Sequence, residues 1–324
     1  AVKTNTDPKS GLFAGGEEFD GNNDYLTISK NALPTSGGFS YSMWIKPDEV
    51  DDANLIDVYS DDGGEKYYFI GFDDDKVKWY FEDEDDEDIQ IEANIELTEN
   101  WHHIVATAQW DGRGHKLYID GVEVASSNRE VDEIFDDYTD IIVGYRHEDY
   151  SNYDEYEGVM DELRIMSVQV DAEWVATEYN NHNDPDNFYS VSARYAVGSN
   201  NGSNNNSGNN NSGDPYLTGY SKRLPITINA SEVCGNSDFS DFQVYIEVEK
   251  NALKHTSNGG HVEHANAFDI VFTEDDGTSE LDFEIEDYDA SAGKYSAWVL
   301  IPTLSASSNT ELYLYYGKSG VSAN

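Results

Sequence analysis

The chain has 324 residues, room for two or three domains, and carries 65 Asp and Glu against 19 Lys and Arg, a formal net charge of −46. That balance excludes a nucleic-acid partner, which needs a basic face, and disfavours an anionic membrane surface. Disorder is excluded as well, because 23 Tyr, 13 Phe and 6 Trp supply enough aromatic mass to fill packed cores.

A folded domain with this self-repulsion needs compensation from dissolved cations or bound Ca²⁺, so a saline or Ca²⁺-rich setting outside the cell is the simplest reading. Seven consecutive acids, Glu82 to Asp88, follow the same chain-wide habit. The single cysteine, Cys234, rules out an internal disulfide and reads as a small half-buried residue. No apolar run approaches the roughly 20 residues of a membrane span. No basic-then-apolar leader is visible, and in an exported protein AVKT would be a processed start.

Strand signals dominate from the first residues onward. FSYSMWIKP (39–47) alternates apolar or aromatic with small polar residues, and KYYFIGF, KVKWYF, HIVATAQW, HKLYIDGVEVA, DIIVGYR and VMDELRIM follow, separated by turns at DDGG, FDDDK and WDGRG. The acidic row spans the loop between KVKWYF and IQIEANIEL, a solvated tip pinned by apolar residues at both ends. DAEWVATEYNN (171–181) predicts one short helix, with Asp171 as its cap and Trp174, Val175 and Tyr179 on one side. Residues 1–190 therefore read as an antiparallel sandwich with one helix.

The tract SNNGSNNNSGNNNSG (199–213) is low-complexity and marks a linker over 191–219. Beyond it, RLPITINA, FQVYIEVE, FDIVFTEDDGT, LDFEIEDYD, GKYSAWVLIP and TELYLYYGK predict a second, smaller β-sandwich over 220–324. Asn201, Asn205, Asn210 and Asn229 begin N-x-Ser sequons, which are glycosylation acceptors in an exported protein or accidents of an Asn/Ser-rich composition.

Residues 19–188 resemble a laminin-G-like, concanavalin-A-like domain. FDGNNDYLTI, FSYSMWIKP, WHHIVATAQWDGRGHKLYIDGVEVASS, IIVGYR and EGVMDELRIM carry the resemblance, in order and at the right spacing. Residues 220–317 resemble a small β-sandwich family of unknown function found in prokaryotic surface proteins, through YSKRLPITINASEV, DFQVYIEV, FDIVFTEDDGTSELDFEIEDYD, AWVLIPTLS and LYLYYGK. The expected fold class is therefore all-β, a concanavalin-A-like jelly-roll sandwich followed by a smaller β-sandwich. The resemblance implies a non-catalytic, multidomain protein of the cell surface, a structural subunit or adhesin. Family members carry a further segment with a Trp-containing first strand before FDG, whereas 18 residues without Trp precede Phe19 here. That predicts a sheet edge left open near residues 1–30, a template for strand addition by another copy and for filaments, unless the chain is a piece of a longer array.

The same resemblance implies a Ca²⁺ site from Asp20, Asp24 and Asp161 with the Gly21 carbonyl, since Ca²⁺ takes six to eight oxygens from carboxylates and carbonyls. Turn-forming Asp-Gly and a strand-end Asp bonded to backbone amides explain the same residues without a metal. Asp73, Asp74 and Asp75 with Glu82–Asp88 form a second, looser acidic cluster. His102 and His103 fall in a strand, one facing in and one out. His255, His261 and His264 have loose metal-like spacing in a Gly-containing loop. Laminarinase-type enzymes of this fold need Glu-x-Asp-x-x-Glu on one strand, and no stretch supplies it; Gly-x-Ser-x-Gly is also missing. The expectation is thus a binding protein, not an enzyme. As the rival to self-assembly, a glycan-binding module of a larger adhesin or carbohydrate-active protein would use the loop tyrosines Tyr145, Tyr150, Tyr153 and Tyr156 as stacking surfaces; Tyr is equally at home in subunit contacts.

Overall fold

The computed structural model describes residues 1–34, 36–50, 52–59, 67–73, 76–82, 88–93, 97–110, 112–130, 139–146, 155–192, 195–196 and 217–322. The chain divides into two units, Ala1–Ala176 and Thr177–Asn324. Asp74, Asp75, the acids between Glu82 and Asp88, Tyr150, Tyr153, the tract 199–213 and its sequons Asn201, Asn205 and Asn210 lie outside the described residues.

Unit 1 contains β1 (Val2–Thr4), β2 (Asp7–Ser10), β3 (Gly15–Asp20), β4 (Tyr25–Ile28), β5 (Gly38–Pro47), β6 (Ala53–Tyr59), β7 (Tyr67–Asp73), β8 (Lys76–Glu82), β9 (Asp88–Glu92), β10 (His102–Gln109), β11 (His115–Ile119), β12 (Val122–Ser127), β13 (Ile141–Val143) and β14 (Glu157–Met166). They form two seven-stranded sheets, in the orders β1-β4-β13-β6-β7-β8-β9 and β12-β11-β10-β5-β14-β3-β2. Alternation along each strand sends every second side chain into one shared core. From β5 these are Phe39, Tyr41, Met43 and Ile45; from β7, Tyr68, Ile70 and Phe72; from β8, Val77, Trp79 and Phe81. Aromatic rings fill the middle, with Phe39 6.3 Å from Trp79 and 5.4 Å from Trp110, and the Tyr41 and Tyr68 hydroxyls share a 2.9 Å hydrogen bond.

The outer face of the second sheet is covered within the unit. Val105 of β10 and Tyr118 of β11 pack against Val170 and Val175. Val175 lies in α1 (Ala172–Asn183), whose start is capped as the sequence predicts: the Asp171 carboxylate accepts the Trp174 N–H at 2.8 Å. The two histidines of β10 divide as expected. His103 faces out, stacked 5.1 Å from Trp44 and 2.9 Å from the Ser42 hydroxyl, while His102 bonds Asp120 at 2.8 Å.

The expectation of a missing first strand is corrected, while the sheet edges near residues 1–30 are β1 and β2 themselves, each paired on one side only. The N-terminal segment itself supplies an edge strand to each sheet: β1 pairs with β4 and β2 with β3. Lys3 pairs with Glu17 and Lys9 with Glu18 along the way. Between β2 and β3, the Leu12 and Phe13 N–H groups donate to one oxygen of Asp161 at 2.8 and 3.2 Å, and the Glu162 N–H donates to the other at 2.9 Å. Burial pushes the Asp161 carboxyl above the usual carboxylate range, against the pull of these three amides. Gly11 lies so close that an added Cβ would collide with the carboxylate.

Unit 2 adds α2 (Pro185–Phe188) and strands β15 (Tyr189–Val191), β16 (Tyr195–Ala196), β17 (Lys222–Ile228), β18 (Phe239–Glu249), β19 (Val271–Glu274), β20 (Phe283–Asp289), β21 (Lys294–Leu304) and β22 (Thr310–Tyr316). One sheet runs β15-β17-β22-β19, with β16 also on β17; the other runs β18-β21-β20. Phe272 of the first and Tyr295 of the second meet at 6.3 Å, and both are fully buried. The sandwich expected over 220–324 is thus joined by earlier residues. Because β15 and β16 pair with β17, residues 177–196 belong to unit 2, and the tract read as an interdomain linker is an insertion between two strands of one sheet.

Two predictions follow from these packings. Asp161→Ala should destabilise unit 1 by about 2–4 kcal/mol, by leaving buried amides without an acceptor, and should expose residues 1–14 to proteolysis; denaturant melts and a timed digest read both. His115, fully buried and 4.8 Å from the Phe81 ring, has its pKa lowered by burial from 6.5 to about 4. Below pH 6.5 the unfolded chain takes up this proton and the folded chain does not, so stability falls as pH drops towards about 4 and the loss then levels off, reaching up to about 3 kcal/mol. Unfolding free energies from urea melts at pH 7 and 4.5 should differ less in His115→Gln than in the parent chain, by about 2 kcal/mol.

Candidate functional site

In unit 1 the core takes one parity of each strand, and the opposite parity of the first sheet carries the candidate site. With Tyr68 and Ile70 inside, Tyr67 and Phe69 of β7 face out; with Trp79 and Phe81 inside, Lys78 and Tyr80 of β8 face out. Phe69 and Tyr80 are direct cross-strand partners, and Tyr67 sits two residues along. The three rings are near-parallel. Tyr67 and Phe69 are 6.1 Å apart with 12° between planes, Tyr67 and Tyr80 5.1 Å and 29°, Phe69 and Tyr80 5.6 Å and 24°. An antiparallel sheet with one face on a core normally carries polar residues outside. Three stacked aromatics there are the departure from that rule.

Polar groups lie in register with the rings. One row across the sheet runs Thr27, Ile142, Asp57, Phe69, Tyr80, Gln90. The next runs Asn54, Gly71, Lys78, Glu92. Asp57 is 1% exposed and accepts a 2.9 Å hydrogen bond from the Asn54 amide. A register shift between Asn54 and Ile56 puts both polar residues on the outer face. Gly71 allows it, since any Cβ there would strike the Ala53 carbonyl. Lys78, ion-paired with Asp73, holds its ammonium 5.8 Å from the Phe69 centroid and 5.9 Å from that of Tyr80, and the Arg146 guanidinium lies 5.4 Å from that of Tyr67. The Tyr80 hydroxyl donates to Asp88 at 2.8 Å, and Gln90 and Glu92 are exposed at the rim. Asn54, Asp57, Lys78 and Tyr80 are themselves buried, so the accessible part of the face is the half-buried Tyr67 and Phe69 rings with Gln90 and Glu92 at the rim, which suits a ligand having both apolar faces and hydroxyls.

The residues proposed from sequence are arranged differently. Asp20 and Asp24 do meet, but through the main chain: Asp24 accepts the Asp20 N–H at 2.9 Å, and Asp20 accepts the Asn22 N–H at 2.9 Å around a left-handed Gly21. Burial raises the Asp24 carboxyl above its ordinary value, opposed by that amide bond and reinforced by the nearby Asp20 carboxylate. Asp161 does not join them. Asp20 pairs with Glu157, four residues from Asp161 along β14, a separation of roughly 13 Å at strand rise. Asp161 is spent on the Leu12 and Phe13 amides. The Ca²⁺ set of Asp20, Gly21, Asp24 and Asp161 is thereby corrected: these residues do not fit one cation, and the turn and strand-end alternative accounts for each.

Of the loop tyrosines, Tyr156 is corrected outright. It is 1% exposed, packed 5.7 Å from Phe19, and its hydroxyl donates to the Val159 carbonyl. Tyr145 is half-buried, 5.7 Å from Tyr25. Asn229 stands just before a short helical turn, and its side-chain amide donates to the Asn187 carbonyl instead of capping it. His255 is bonded to Ser257, and His264 stacks 4.5 Å from Phe268; among the described residues they and His261 form no shared ligand group. Cys234 is half-buried, as expected.

Residues 20–176 match the family model of the concanavalin A-like lectin/glucanases superfamily, and residues 266–324 match that of a domain of unknown function, DUF2341. No curated protein matches the chain. Similar solved structures include domain 4 of an extracellular arabinanase from Geobacillus stearothermophilus in complex with arabinotriose, at 18% identity over 53% of this chain and 80% of that one, TM-score 0.42. The binding domain of Paraclostridial Mosquitocidal Protein 1 aligns at 16% identity over 99% of this chain and 86% of that one, TM-score 0.46. The sialidase carbohydrate-binding module of Ruminococcus gnavus bound to sialyllactose aligns at 11% identity over 54% and 96%, TM-score 0.39. The chain therefore joins a domain of the concanavalin A-like lectin/glucanases superfamily to a domain of the DUF2341 family.

Proposed function

We propose that unit 1 is a carbohydrate-binding module of an extracellular surface protein, and that it takes its glycan on the outer face of the first sheet. The observation that carries this is the triplet of near-parallel rings, Tyr67, Phe69 and Tyr80, at outward positions of two adjacent strands. Sugar rings offer apolar C–H faces that stack on aromatic planes, and their hydroxyls pair with exposed rim groups such as Gln90 and Glu92. The location has independent support in the unit itself, because the outer face of the other sheet is filled by Val170 and Val175. The charge of −46 repels polyanions over the whole surface, so a neutral glycan is the ligand of choice over a sulfated or uronate-rich one. The module binds rather than cleaves, and an adhesive role on a cell surface follows from that activity.

A glycan array, followed by calorimetry on the best neutral hit, tests the reading. Tyr67→Ala and Phe69→Ala should each weaken binding at least tenfold, on the order of 1.4 kcal/mol, with melting still cooperative. Binding that survives both changes and is lost in Tyr145→Ala would move the site to the loop. No binding to any neutral glycan would end the proposal.

A further inference from the structure

Asn54, Asp57 and Lys78 form a buried cluster on the outer face of the first sheet of unit 1, and glycan binding at the rim does not use their chemistry. A side-chain amide, a carboxylate and a primary amine are the three groups that a transamidation needs. Asn54 of β6 and Lys78 of β8 both stand opposite Gly71 of β7. Two strand spacings, about 10 Å, therefore separate their main chains. No side chain stands between them, because the middle residue is a glycine. The lysine already reaches into this gap. Phe69, Gly71 and Asp73 follow one another on the outer parity of β7. The Lys78 ammonium pairs with Asp73 and lies 5.8 Å from the Phe69 centroid, which puts it between those two residues, over Gly71. From there the Asn54 side chain is one strand spacing away, about 5 Å, within the swing of a flexible four-carbon stem. The register shift in β6 supplies the third group. It turns Asp57 to the same face, where the Asn54 amide nitrogen donates to its carboxylate at 2.9 Å. The Phe69 and Tyr80 rings lie beside the amine and keep its surroundings apolar.

We propose that Lys78 and Asn54 become joined by an isopeptide bond that the folded chain forms by itself, with Asp57 as the catalytic residue. Asp73 takes one proton from the Lys78 ammonium, and the freed lone pair on Nζ attacks Cγ of Asn54. Asp57 takes a second proton from Nζ and passes it to the amide nitrogen that it already touches. The bond from Cγ to that nitrogen breaks, and ammonia leaves with the proton held by Asp73, as ammonium. One C–N bond forms and one breaks, so the step needs no oxidant and no co-reactant. A neutral amide replaces a buried ammonium, which removes the cost of keeping that charge out of water. The product bolts β6 to β8 across β7, beneath the ringed face, whether or not that face holds a glycan.

Intact-mass spectrometry of the denatured full chain reads the reaction, since the linked protein is lighter by one ammonia. A digest should give one branched peptide that joins β6 to β8. Lys78→Arg keeps the positive charge but cannot attack, and Asp57→Asn keeps the shape but cannot carry the proton. Both should have the full mass of their sequences and melt at a lower temperature than the parent. A folded parent chain that keeps its full sequence mass after prolonged incubation overturns the proposal. So does a missing ammonia that maps to an unbranched peptide, or a deficit that persists in Lys78→Arg or in Asp57→Asn. The parent mass and Lys78→Arg decide the matter even if Asp57→Asn does not fold.

Discussion

The aromatic cluster between the two sheets of unit 1 decides the parity of its strands, and parity decides everything the unit presents. Once Trp79 and Phe81 are committed to the core, Lys78 and Tyr80 have no choice but the outer face. The same holds for Tyr67 and Phe69 beside Tyr68 and Ile70. A one-residue slip would exchange the two sets, which makes the register strongly specified and the outer aromatics a retained feature rather than an accident of packing. In the first sheet the register shift in β6 turns Asn54 and Asp57 to the ringed face while Leu55 and Ile56 both stay in the core.

Carboxylates in the two units share a common use. Asp24 serves the Asp20 amide, Asp161 those of Leu12, Phe13 and Glu162, and Asp269 those of Glu263, His264 and Gly317 at 2.8–3.1 Å. On the surface, Asp276 accepts the Thr278 and Ser279 amides and the Ser279 hydroxyl, bonds that pull its pKa down to about 2. Each of these turns a main-chain group that has no ladder partner into a satisfied one. Acidic residues that look like ligand sets when read along the chain are separate fasteners when placed in space.

The sequence made the strands legible because alternation survives in FSYSMWIKP, KVKWYF and TELYLYYGK, and it made α1 legible through Asp171 and the spacing of Trp174 and Val175. β1 and β2 were not legible. AVKTNTDPKS is polar and holds Pro8, features of short edge strands that need no apolar side and tolerate a missing N–H. Tyr156 was misread because a tyrosine in an acidic, tyrosine-rich stretch looks like loop, whereas it lies one residue before β14 and tucks against Phe19. The outward aromatics were within reach: KYYFIGF places aromatics on both parities, and only one parity can face a core. The opposed pairing of Phe69 with Tyr80 was not, because it depends on how β7 and β8 turn into one another.

The Asn/Gly/Ser-rich tract also changes meaning once β16 and β17 are known to pair, with Ala196 opposite Lys222. The described residues on either side of it, Ala196 and Lys222, are ladder partners, so the chain leaves one sheet and re-enters it at the same place. The free energy of such a closure grows only with the logarithm of its length, about 0.6 kcal/mol for each doubling. Lengthening or shortening this repeat-like tract is therefore nearly neutral for folding. Replication slippage in the codons of such a repetitive run would be tolerated, and its length is free to drift between closely related copies of the gene.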